Sequence, residues 1–97
     1  MKALFIAYSQ AYNQEIVELL ENLGQRGYTV WNEIGGRGSV NGEPHLGTHA
    51  WPTMNCAVLA VVPDDRAAAI LEEAARMDRE SPDLGLRAFQ WNVEQAI

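Results

Sequence analysis

The apolar positions along this chain change period several times, and each change marks an element. Residues 2–8 are apolar at nearly every position. In an extended chain Leu4, Ile6 and Tyr8 share one side and Ala3, Phe5 and Ala7 the other, so a strand here needs cover on both faces. The polar turn that follows offers Ser9 and Asn13 as helix caps. Ile16, Leu19, Leu20 and Leu23 then recur at i, i+3, i+4 and i+7, which predicts an amphipathic helix stopped at Gly24. Glu15, Glu18 and Glu21 fall outside that stripe and read as its solvated face. Residues 28–34 predict a second strand, with Thr29, Trp31 and Glu33 on one side and Tyr28, Val30, Asn32 and Ile34 on the other. Residues 55–62 predict a third strand, apolar almost without a break. Between them, residues 35–53 form an arm with Gly and Pro punctuation and no period. Asp64 reads as the N-cap of a second helix running to about Asp78. Ala67, Ile70, Leu71, Ala74 and Met77 make its inner stripe. After a turn at 80–85, a last strand over 86–93 alternates Leu86, Ala88 and Gln90 against Arg87, Phe89 and Trp91.

The order β-α-β-β-α-β predicts an α+β, ferredoxin-like fold over a single domain, residues 1–97. It is a four-stranded antiparallel sheet with two helices on one face. The other face is left bare and is lined by apolar side chains of the first and third strands, with Trp31 or Trp91. Exposed area of that kind calls for a partner.

Charge narrows the choice of partner. Thirteen acids stand against seven bases, for a formal net charge of −6. A general nucleic-acid or anionic-membrane surface is thereby excluded, whereas a local pair of Arg can still hold a small anion. No apolar run reaches membrane-spanning length, so no membrane insertion is expected. Cys56 is alone, which rules out an internal disulfide, and the cytoplasm is the expected compartment.

Two clusters carry candidate chemistry. Gly35-Gly36-Arg37-Gly38 combines glycines, whose N–H groups can approach an anion, with a guanidinium that can pair with one. The same run also reads as turn or bulge chemistry at a strand end. His45, His49, Met54 and Cys56 fall within a dozen residues and contain donors for a divalent metal. Alternatively the two His are exposed polar residues of the arm and Cys56 is a small buried hydrophobe. No Ser/His/Asp or Cys/His pair has a local context for catalysis, so an enzyme is not expected.

The run from Gly27 to Glu43, Gly-Tyr-Thr-Val-Trp-Asn-Glu-Ile-Gly-Gly-Arg-Gly-Ser-Val-Asn-Gly-Glu, resembles the second strand and arm of PII nitrogen-regulatory signal proteins. Ala60-Val-Val-Pro-Asp-Asp65 resembles their third strand and helix start, and Arg87 to Glu94 their last strand. The resemblance implies a PII-like signalling protein, a homotrimer with sheets facing inward and a small effector, such as an adenine nucleotide, in the clefts between subunits. It places Thr29, Gly36, Arg37, Gly38 and Ser39 at the effector. It makes residues 35–53 a T-loop-like arm that touches a transporter or enzyme target. Gly38 is followed by Ser39, Val40 and Asn41, where the family pattern has Arg, Gln and Lys, and the arm has no Tyr. The resemblance is therefore to a divergent member with its own ligand. A second reading is similar to the trimeric CutA proteins of the same architecture, metal-binding and tolerance proteins, with His45 and His49 as ligands.

Overall fold

The computed structural model describes residues 1–97 and has the α+β, ferredoxin-like arrangement. The first strand, β1, spans Lys2–Ser9. A 3-10 turn over Gln10–Tyr12 leads into helix α1, Asn13–Asn22. Strand β2 is Thr29–Ile34 and β3 is Asn55–Val62. Helix α2 runs Asp64–Glu80, and a 3-10 turn over Pro82–Leu84 precedes β4, Arg87–Asn92. The sheet order is β2-β3-β1-β4, and every pair is antiparallel. The two strands that are apolar on both sides are thus the two central ones.

The alternation of β1 decides which residues meet the helices. Leu4, Ile6 and Tyr8 are buried, together with Val58, Ala60 and Val62 of β3. Against them lie Ile16 and Leu20 of α1 and Ala67, Ile70, Ala74 and Met77 of α2. Each large aliphatic side chain buried there contributes about 1.5–3 kcal/mol. The alanines of α2 let that helix approach the sheet closely without a costly glycine.

The opposite face carries three cross-strand rows fixed by the register. They are Trp91–Ala3–Val61, Phe89–Phe5–Leu59–Thr29 and Arg87–Ala7–Ala57–Trp31. No helix covers them: Phe89 is 56% exposed, Trp91 50% and Trp31 44%. Phe5 and Trp31 stack at a tilt, with ring centroids 6.4 Å apart.

Three local expectations are corrected. Asn13 does not cap α1; it is the helix's first residue, and its Oδ1 accepts a 2.7 Å hydrogen bond from the Tyr8 hydroxyl. Ser9 does cap, but on the 3-10 turn, accepting from the Ala11 amide. Asp64 is not an N-cap either. Pro63 holds that position with an extended backbone, and the Ala67 amide bonds its carbonyl. The Asp64 carboxylate instead accepts from the Met1 amino group at 2.7 Å, which holds it below the usual carboxylate range. Both acids at 64 and 65 still complement the positive end of the helix.

Burial, reinforced by the neighbouring Cys56 and Tyr28, pushes the Tyr8 phenol up to about 12. A tyrosine in an unfolded chain ionises near pH ~10. Between those values the unfolded chain releases this proton and the folded one keeps it, so stability should fall as pH rises through that window. Chemical unfolding midpoints measured from pH 8 to 12 should show this slope, and Tyr8→Phe should flatten it. The same variant should lose about 0.5–1.5 kcal/mol at pH 8 through the missing bond to Asn13.

Candidate functional site

The arm begins with a break in strand pairing. Trp31 lies opposite Ala57 and Ile34 opposite Asn55, so β2 uses one more residue than β3 over this interval. Glu33, in this bulge, takes a φ of 57°. The extra residue turns Ile34 onto the same side as Trp31, the reverse of what unbroken alternation predicts.

Beyond the bulge the chain closes on itself. The Gly36 amide bonds the His45 carbonyl at 2.9 Å, and the His45 amide bonds the Gly36 carbonyl at 2.8 Å. Asn55 at the start of β3 packs into this closure. A Cβ on Gly36 would lie 2.8 Å from the Asn55 Nδ2 and would push that amide aside. The Asn55 Oδ1 is 2.6 Å from the His45 Nδ1. With that oxygen accepting, Nδ1 carries the proton and Nε2 is the bare nitrogen. The imidazole is 2% exposed, and its Nε2 has no partner.

A cleft of about 600 Å³ opens beside this root, at one end of the uncovered sheet face. Its apolar wall includes Phe5, Ala7, Ile34 and Phe89; its polar rim is made by residues 35–38, Asn55 and Arg87. Arg37 donates Nε to the Gly42 carbonyl at 2.7 Å, which fixes the plane of its guanidinium. Arg87 donates to the Leu86 carbonyl at 2.6 Å and lies 3.5 Å from the Asp78 carboxylate. Gly38 crosses Gly85 backbone on backbone. A Cβ at Gly38 would overlap the Gly85 carbonyl, and Gly85 itself has a φ of 68°. Aromatic rings at one wall and guanidinium and peptide N–H groups at the other suit a planar ring bearing an anionic substituent. None of the 11 lining residues carries a hydroxyl, thiol, imidazole or carboxyl group with which to do covalent or acid-base chemistry.

The whole sequence, residues 1–97, matches the family described as nitrogen regulatory protein P-II. The chain belongs to the P-II family. Among solved structures it is similar to CPII, a PII-like protein from Thiomonas intermedia K12, in a form bound to ADP, AMP and bicarbonate. That likeness has a TM-score of 0.77 and 21% identity, and covers 95% of this chain and 84% of the other. Another CPII structure, bound to ADP and bicarbonate, gives a TM-score of 0.71 at 22% identity, covering 97% and 88%. A PII-like signalling protein of Thermus thermophilus gives 0.68 at 24%, covering 95% and 85%. At these identities the likeness speaks for the P-II fold. No curated protein matches the sequence.

Of the five residues that the family resemblance places at the effector, the cleft gathers Gly36, Arg37 and Gly38. Ser39 is the next residue along, and its carbonyl accepts from the Gly42 amide in the turn that holds Arg37. Thr29 stands apart, opposite Leu59 on the open sheet face. Asn55, Gly85, Arg87, Phe5 and Phe89 also line the cleft and were not legible as site residues. Only the alternation that sets Phe5, Arg87 and Phe89 on one face hinted at them.

The donors of the CutA-like reading do not assemble. His45 is buried against Asn55, His49 is exposed in the arm, and the Cys56 thiol faces Asn32 Oδ1 at 3.8 Å. No group of three His, Cys, Asp or Glu is placed to hold a metal ion. The closure between Gly36 and His45 is the reason, since it draws one imidazole inward.

Arg37 is the only tryptic site between residues 27 and 65. Asn55→Ala would leave both imidazole nitrogens of His45 unpartnered, a loss of about 1–3 kcal/mol. Tryptic cleavage after Arg37 should then speed up severalfold, followed by mass spectrometry under native conditions. An unchanged cleavage rate would show that Asn55 does not hold the arm root.

Proposed function

We propose that the protein is a non-enzymatic, PII-like regulator that binds an adenine nucleotide in the cleft at the arm root. Three copies associate through the open sheet face, so that each cleft is completed by a neighbouring subunit. The arm over residues 35–53 reports occupancy to a partner protein. The observation that carries this reading is the cleft itself, in which Gly36, Arg37 and Gly38 of the arm face the aromatic end of the sheet. Membership of the P-II family supports it, as do the adenine nucleotides and bicarbonate bound by the Thiomonas protein. The trimer is supported by Trp31, Phe89 and Trp91, a contiguous apolar surface with no cover from its own chain. The arm presents Val40, 90% exposed, with Leu46 and Trp51, side chains suited to a protein surface. Ligand and partner are coupled in this scheme because Arg37 and Gly38 belong to both cleft and arm.

Calorimetric titration with AMP, ADP and bicarbonate should give saturable heat, and Arg37→Ala should weaken it by about tenfold or more, as expected for one lost charge-assisted contact. Silence from all three ligands would overturn the nucleotide reading. Sedimentation at micromolar concentration should return three chains, and Phe89→Glu with Trp91→Glu should return one, with unchanged secondary structure by circular dichroism. A single-chain species in the unaltered protein would overturn the assembly.

A further inference from the structure

Resting on the nucleotide reading, we infer that this cleft selects for a short phosphate chain, taking a nucleoside monophosphate in preference to the corresponding triphosphate. Three features of the cleft carry this. The first is steric. Gly38 lies on Gly85 so closely that a Cβ at Gly38 would overlap the Gly85 backbone, and one at Gly85 would lie 3.0 Å from the Gly38 Cα. A phosphate is larger than a methyl group, so a phosphate chain has no passage between the arm root and the turn before β4.

The second feature is what lies beyond Arg37. An adjoining hollow that Arg37 also lines, of about 370 Å³, brings Glu43 and Asp83 to its walls and adds no second cation. A first phosphate gripped by Arg37 sits at the rim of the cleft. Further phosphates directed into that hollow meet two carboxylates. At an effective dielectric near ~20, an added charge within roughly 8 Å of a like charge changes affinity by about tenfold or more.

The third is the count of uncommitted donors. Arg37 has given Nε to Gly42 and keeps its two terminal nitrogens, the set that one phosphate takes in a bidentate grip. Arg87 already faces Asp78 and donates to Leu86. A neighbouring copy of the chain brings the same excess of acids, thirteen against seven bases.

The test is calorimetric titration of the full chain with AMP, ADP and ATP, once with divalent cations chelated and once with magnesium. Affinity should fall in the order AMP, ADP, ATP, with AMP at least about tenfold tighter than ATP in both conditions. In Glu43→Gln with Asp83→Asn the AMP-to-ATP ratio should shrink to about threefold or less. Raising the salt concentration with the unaltered protein should shrink it as well, which tests the charge argument without any variant. ATP binding as tightly as AMP would overturn the inference while leaving the nucleotide reading in place. A large ratio indifferent to both the double variant and salt would overturn the role given to Glu43 and Asp83 and leave the steric block as its ground. Absence of binding by all three nucleotides would remove both.

Discussion

Both central strands of the sheet are apolar on two faces, and the chain has helices enough for one. Leu4, Ile6, Val58 and Ala60 are sealed beneath α1 and α2 as part of a core of 14 buried residues. Phe5, Leu59, Phe89 and Trp91 point the other way, onto the face that no helix covers. The cleft lies at the end of that second surface, with Phe5 and Phe89 belonging to both. Anything that covers the sheet therefore also walls the cleft. In the proposed scheme, assembly and ligand capture would share Phe5 and Phe89.

The elements themselves were readable from period alone, because a strand buried on two sides and a helix buried on one leave different signatures. The outward placement of Trp31 and Trp91 followed from the same alternation. Alternation failed where it had to, at Ile34. The bulge that reverses it carries no sequence mark, since Glu33 is not a residue that usually adopts positive φ. At the site, the glycines and Arg37 were visible as a local run. Asn55, Gly85 and Arg87 were not, because they reach the cleft through tertiary contacts from distant segments. The sequence left His45 either an exposed polar residue of the arm or a metal donor; a two-bond pairing to Gly36, which no local pattern announces, makes it part of the interior instead.

That interior is not fully satisfied. The Nε2 of His45 is buried without a partner, a deficit of about 1–3 kcal/mol set against the bond that Nδ1 makes to Asn55. The root of the arm is held by a small set of contacts, two backbone bonds and one side-chain bond. A segment with a small margin is suited to two arrangements, and Asn55 touches both the imidazole and the cleft lining. Asn55 and Gly36 thus both join the cleft lining directly to the return limb of the arm.

The distribution of indole rings has an optical consequence. All three tryptophans lie outside the helix-side core: Trp31 and Trp91 on the bare sheet face, and Trp51 in the arm. Intrinsic emission of this protein is therefore nearly blind to the packing between helices and sheet. Its wavelength reports instead on whether water reaches those two surfaces, so in the proposed assembly a spectrum that shifts with dilution would record subunits parting rather than chains melting.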